Sequence, residues 1–148
     1  MIRKILLISV LFLSGCAASG PLFSEVVPAE GKGVLYVYRS NAMVNCCVSP
    51  VIYINGAESG SLKNGGYIPV VLDPGTYEVA AENTSVGFNK VSTKVEIVAG
   101  KSHYVKWYIG DLVEIDFLAY ASKYEYHLFP VDRGLAKNEI SGLKLSDS

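Results

Sequence analysis

Short segments with a period of two, separated by strong turn signals, dominate the chain from residue 33 onward. In Lys90–Val98 apolar and polar side chains alternate, as in a strand with one buried face. Val34–Tyr38 is apolar on both faces, which predicts a central strand. Asn55-Gly56 suits a two-residue hairpin, and Asp73-Pro74-Gly75 suits a turn that needs a positive φ at glycine. This spacing predicts an all-β sandwich or barrel.

The remaining segments fit the same interpretation. Further strands are predicted at 51–54, 59–62, 67–72, 76–81, 103–109, 112–118 and 124–131. Gly110-Asp111 is expected to separate two of them, and Pro69 should lie at an edge or an exposed position because it has no N–H. A short helix capped by Asp132 is predicted near the C-terminus. The predicted fold class is therefore all-β, with one short C-terminal helix.

Composition narrows the class of protein. Hydrophobic residues make up 50% of the chain, which argues against disorder. With 13 basic and 14 acidic side chains the net charge is −1, so the sequence predicts no nucleic-acid partner. The length of 148 residues suits one domain.

The N-terminus has the features of an export signal. Arg3 and Lys4 precede an apolar run too short to span a bilayer, which needs about 20 residues. The run ends in Leu13-Ser14-Gly15-Cys16, which resembles the lipobox of bacterial lipoproteins. That resemblance implies cleavage between Gly15 and Cys16, with a diacylglycerol on the Cys16 sulfur and an acyl chain on its amine. No other cofactor is predicted.

The lipobox divides the chain into residues 1–15 as signal peptide, 16–32 as lipidated N-terminus and tether, and 33–148 as the β-sandwich domain. An alternative for residues 16–32 is an edge segment packed on the domain by Leu22, Phe23, Val26 and Val27. Ala17, where an Asp would imply retention in the inner membrane, favours the periplasmic face of the outer membrane in a bacterium with two membranes.

Several strand and turn motifs resemble a family of small bacterial lipoproteins known as domain of unknown function 2846. They are Gly31–Arg39, Val51–Gly56, Gly60–Tyr67, Leu72–Tyr77 and Ala99–Val105. The middle of the chain also resembles PEGA-type surface domains. The resemblance implies an immunoglobulin-like or prealbumin-like antiparallel sandwich, and it transfers no catalytic residue.

The connection after the first strand is the main candidate for an interaction site. It contains Met43, Val44, Cys46 and Cys47 and is apolar for a loop, so it could contact a partner or the membrane. A packed strand continuation is the alternative. Free thiols are uncommon in an oxidising envelope, so the adjacent cysteines could form a strained disulfide, an intermolecular crosslink or a soft-metal contact, or serve as small apolar residues.

Other chemistry has little support in the sequence. His103 and His127 lie on different predicted strands, so no metal site is predicted, and no catalytic motif is present. An exposed face of strand tyrosines could bind glycan, although buried tyrosines are more common. The candidates are Tyr36, Tyr38, Tyr53, Tyr104 and Tyr108. The sequence thus predicts a non-catalytic, lipid-anchored binding or structural module with an envelope protein or glycan partner. The alternatives are an accessory subunit of a larger envelope assembly, or a small redox or hydrolytic enzyme.

Overall fold

The computed structural model describes residues 15–83, 90–116 and 121–146. The predicted signal peptide therefore lies outside the described residues, except for Gly15. The elements are β1 (Gly33–Tyr38), β2 (Val51–Ile54), β3 (Ala57–Ser61), β4 (Gly66–Leu72), β5 (Gly75–Glu82), β6 (Val91–Ile97), β7 (Ser102–Asp116), β8 (Ala121–Val131), α1 (Arg133–Ile140) and β9 (Lys144–Leu145).

The strands form two packed sheets, which confirms the predicted all-β sandwich. One sheet has the order β8-β7-β1-β4-β9 and the other the order β3-β2-β5-β6. The second sheet is antiparallel throughout. In the first, β1 pairs in parallel with β7, and β4 pairs in parallel with β9, so this sheet is mixed where antiparallel pairing was predicted.

The main core lies between the sheets and explains why β1 is apolar on both faces. Leu35 and Val37 point into this core together with Trp107 from β7, and all three are fully buried or nearly so. Val34 and Tyr36 point to the other face of the sheet, which is also covered. A central strand covered on both sides has no solvated face, as the sequence predicted.

The cover on that outer face comes from α1 and from residues 16–32, which are not an extended tether. Phe23 makes edge-to-face contacts with Tyr36 and Tyr67, each at 5.2 Å between ring centroids. The Phe23 amide donates to the Leu143 carbonyl at 2.8 Å. Leu22 and Val27 are instead 60% and 88% exposed. The stretch packs on the domain as the alternative predicted, but through Phe23 and not through the other three residues, since Val26 is also 40% exposed.

Several turns and caps lie where short sequence motifs predicted them. Asn55 and Gly56 have φ values of 48° and 81°, as the predicted hairpin between β2 and β3 requires. Pro69 lies beyond the short ladder between β4 and β9, so the missing N–H faces a free edge. Asp132 accepts from the Gly134 amide at 2.8 Å and caps α1.

The strand boundary predicted at Gly110-Asp111 is wrong. β7 continues through it to Asp116, and its register against β8 shifts between Ile109 and Leu112. The glycine and aspartate therefore mark an irregularity within one long strand, where an extra residue is absorbed without ending the pairing. The predicted end of that strand, at 117–118, lies outside the described residues.

The sandwich has two ends that matter below. At the Arg39 end, β1 finishes, β4 starts at Gly66, and the loop after β1 begins. At the Gly33 end, β1 starts beside the turn 98–101. Residues 16–32 run between these ends, with Cys16 at the Arg39 end and Lys32 at the Gly33 end. Within the described ranges, no helix is long and apolar enough to cross a membrane.

Candidate functional site

Cys16 is held on the sandwich at the Arg39 end. Its carbonyl accepts a hydrogen bond from the Asn64 amide at 3.2 Å. Two residues later, the Ala18 amide donates to the Asn64 carbonyl at 3.0 Å, and Ala18 is buried. Gly15 is exposed, and no atom would obstruct a Cβ there. The contacts with Asn64 therefore lie directly after the predicted cleavage site.

The side chain of Asn64 fastens the loop after β1 to the same place. Its Nδ2 donates to Asn41 Oδ1 at 2.7 Å and to the Ala42 carbonyl at 2.9 Å. Its Oδ1 accepts from the Ala42 amide at 2.9 Å. Asn64 is 7% exposed, so these bonds are shielded from water. One buried residue therefore joins Cys16 and the loop, a link of long sequence separation that no local pattern indicates.

The apolar loop, defined here as Asn41–Cys47, is a turn and not a strand, so the alternative of a packed strand continuation is wrong. Met43 is 95% exposed and Val44 is 51% exposed. Asn45 takes a φ of 52°, which turns the chain back toward the core. Val48 then packs partly against the core between the sheets. Whether the loop binds anything remains a prediction.

The two loop cysteines are free thiols in contact with each other. Their Sγ atoms are 3.5 Å apart, with Cys46 half-buried and Cys47 exposed. The neighbouring Cys47 thiol raises the pKa of Cys46, by hydrogen bonding and by its charge, and the nearby Arg39 cation opposes this only in part. The Cys46 thiol therefore stays protonated near neutral pH. In the described part of the chain, no group of three His, Cys, Asp or Glu side chains could hold a metal ion.

Arg39 organises the apolar loop from beneath and was not singled out by the sequence analysis. It is 2% exposed, and its Nη2 donates to the Asn45 carbonyl at 2.8 Å, while Nη1 donates to the Val48 carbonyl. Its guanidinium lies 4.7 Å from the ring centroid of Trp107. Burial lowers its pKa to about 10, so it remains charged at neutral pH. The loop is shaped around a buried cation.

A second cluster, also missed from the sequence, clamps the N-terminal segment at the Gly33 end. Glu25 Oε1 accepts from Ser102 Oγ at 2.8 Å, Tyr104 OH at 3.2 Å and Arg133 Nη2 at 3.0 Å. Lys137 Nζ lies 2.8 Å from the other carboxylate oxygen. The hydrogen bond from Lys137 has the largest effect and, with those from Ser102 and Arg133, lowers the pKa of Glu25 to about 2 despite burial.

The shifted pKa predicts how stability depends on pH. An unfolded Glu25 titrates near 4.5, so the clamp stabilises the fold fully above that pH and is lost as the pH falls toward 2. The Glu25 side chain is 29% exposed, so solvent screens part of the effect and Glu25→Gln should cost about 1–2 kcal/mol at pH 7. In urea unfolding, the difference in the free energy of unfolding between Glu25→Gln and wild type should shrink as the pH falls from 5 to 2. Glu30→Gln, at an exposed carboxylate, is the matched control. A pH-independent difference would contradict the clamp.

Both histidines make local contacts, and three of the five candidate tyrosines are buried. His103 Nε2 accepts from the Val98 amide at 3.0 Å, whereas His127 stacks on Tyr108 with 6.0 Å between ring centroids. Tyr36, Tyr38 and Tyr104, which were candidates for a glycan platform, are buried beneath α1 and the N-terminal segment. Tyr53 is half-buried and Tyr108 is 49% exposed.

Two packed sheets, with a short helix and an N-terminal segment covering one of them, define a small all-β sandwich. The chain belongs to the family described as protein of unknown function (DUF2846), whose model matches residues 29–117. The match confirms the family resemblance and covers the apolar loop, but it begins after Cys16. No curated protein matches the chain. The function therefore has to be argued from the site.

Proposed function

We propose that this protein is a lipid-anchored, non-catalytic binding or structural module of the bacterial cell envelope, attached through Cys16. One observation carries the proposal: the apolar segment that follows Arg3 and Lys4 ends in the lipobox Leu13-Ser14-Gly15-Cys16. Gly15 is exposed, whereas the Cys16 carbonyl and the Ala18 amide are both bonded to Asn64. The exposed position of Gly15 is compatible with cleavage between residues 15 and 16.

The chemistry follows from the position of the cysteine. The Cys16 thiol loses its proton and displaces the phosphorylated headgroup of a glycerophospholipid, which forms a thioether to the diacylglyceryl group. Water then hydrolyses the peptide bond to Gly15, and the freed amine takes an acyl chain from a second phospholipid, which leaves as the lysophospholipid. Each buried CH₂ contributes about 0.8 kcal/mol, so one chain anchors a protein marginally while two or three hold it durably. Ala17 supports placement on the periplasmic face of the outer membrane.

The anchor is tested by intact mass and by metabolic labelling with a fatty acid. The wild-type protein should incorporate label and have the mass of residues 16–148 plus a diacylglyceryl and an acyl group. Cys16→Ala should abolish labelling completely, because no other residue can form the thioether at the processed N-terminus. Cys47→Ala, at an exposed cysteine in the loop, is the matched control and should label like wild type. Labelling of the Cys16→Ala variant would refute the proposal.

A further inference from the structure

The apolar loop carries a surface that the anchor alone does not explain. Met43 is almost fully exposed at 95%, and Val44 at 51% stands next to it. The loop Asn41–Cys47 contains no charged side chain. Arg39 lies beneath the loop, is 2% exposed and is bonded to loop carbonyls. Lys106, which lines a cavity together with Asn41 and Ala42, is paired with Glu139 at 2.7 Å. The tip could thus enter an apolar medium without taking a charge out of water.

The position of the loop identifies the medium. Asn64 bonds the Cys16 carbonyl through its backbone amide and the Ala42 backbone through its side chain. Because Cys16 is itself bonded to the sandwich, no flexible stretch of chain separates the site of lipidation from the domain. Acyl chains on Cys16 therefore bring the bilayer surface to the end of the sandwich where the loop projects.

We infer that the apolar loop docks into the bilayer beside the anchor, with Met43 and Val44 at the boundary between headgroups and acyl chains. This inference rests on lipidation of Cys16. The occupant is a lipid surface because the anchor holds the bilayer beside the loop at all times, whereas another protein would have to be recruited there. Apolar side chains at an anchored interface contribute through the area they bury in the headgroup region.

The long β7–β8 hairpin shows why the loop, and not every exposed apolar residue, is assigned this role. β7 passes the level of Tyr38 at Lys106 and continues to Asp116, beyond the Arg39 end. Its exposed residues Leu112 and Val113 are interrupted by the exposed carboxylates of Asp111 and Glu114. Burial in lipid would desolvate these charges, so the hairpin has to stay in water. The bilayer would therefore meet the Arg39 end on the β4–β9 side of the sheet, where Asn64 bonds Cys16, and not on the β7–β8 side.

The loop is also held in shape before any membrane is present. Arg39 bonds the carbonyls of Asn45 and Val48, and Asn64 bonds Asn41 and Ala42. The two ends of the loop are thereby fixed, and Met43 and Val44 project between them. Preorganisation means that insertion costs little further ordering of the backbone.

The test uses a tryptophan reporter in the lipidated, full-length mature protein. Met43→Trp protein is purified from membranes and reconstituted into phosphatidylcholine vesicles whose acyl chains are partly brominated. Val27→Trp is the matched control, because Val27 is 88% exposed and lies toward the Gly33 end. The native Trp107 is 1% exposed and gives the same background in both variants.

We expect bromolipid quenching of the residue 43 reporter to exceed that of the residue 27 reporter by at least threefold, with a blue-shifted emission. Equal quenching in two proteins that both float with the vesicles would overturn the docking of the loop while leaving the anchor intact. Failure of both to float would instead refute lipidation. A third outcome is a blue-shifted emission that increases with protein density but is not quenched by the bromolipids. That result would assign the loop to a contact with a second copy of the chain and would also overturn the inference.

Discussion

Arg39→Ala should lower the free energy of unfolding by about 3–5 kcal/mol. The substitution removes a fully buried side chain that packs on Trp107, so it leaves a cavity at the edge of the core. It also removes the Arg39 donor from the Val48 carbonyl and one of two donors from the Asn45 carbonyl, which keeps its bond from the Val48 amide at 3.0 Å. Urea unfolding monitored by circular dichroism measures the loss.

Two further variants separate packing from hydrogen bonding at this position. Arg39→Met refills most of the volume but offers no donor, so it should recover about half of the lost stability. Arg39→Lys keeps the charge but lacks the planar fork that reaches two carbonyls and stacks on an indole, so it should also remain destabilised. If Arg39→Ala cost less than about 1 kcal/mol, the loop would not be organised by this side chain.

Gly66→Val should lower the free energy of unfolding by about 3 kcal/mol, because no side chain fits there. A Cβ at Gly66 would stand 2.8 Å from the Lys63 carbonyl oxygen and 3.0 Å from the Ala18 Cβ. The Ser146 Oγ, 2.2 Å away, could rotate aside, but the backbone carbonyl could not. The strain falls where β4, β9 and the N-terminal segment meet.

Gly142→Val is the matched control, since a Cβ at Gly142 meets nothing within 4 Å. Its melting temperature should stay within about 2–4 °C of wild type, whereas Gly66→Val should lose roughly 10 °C. Equal shifts in the two variants would contradict a steric origin. Because Ala18 is one of the obstructed neighbours, Gly66→Val should also make residues near Cys16 more susceptible to proteolysis than in wild type.

Features set by neighbouring residues could be predicted from the sequence. The Asn55-Gly56 hairpin, the Asp132 cap and the two-sided apolar pattern of β1 each depend on local geometry or on burial of a single strand. The family resemblance rested on the same turns and strands. These signals were sufficient for the fold class.

Features that join distant parts of the chain could not be predicted in this way. β1 pairs in parallel with β7, and β4 pairs in parallel with β9. The direction of pairing does not change the alternation of apolar and polar residues in a strand, so it could not be read from the sequence. Glu25 meets partners 77 to 112 positions away, and it looks like an ordinary charge in a polar stretch. Arg39 follows an apolar strand, where a cation usually marks the return to solvent. Only the packed structure shows it buried.

Under the proposed lipidation of Cys16, the absence of a spacer after this residue would also impose an order of events during export. The bond between Gly15 and Cys16 has to enter a protease as extended, accessible backbone, yet in the folded domain the Cys16 carbonyl is held by Asn64. Phe23, packed against Tyr36 and Tyr67, draws the same segment onto the sheet. Folding and maturation therefore compete for one stretch of chain. A precursor that folds before it is cut would present its cleavage site against a rigid domain, so slow docking of the segment favours efficient maturation.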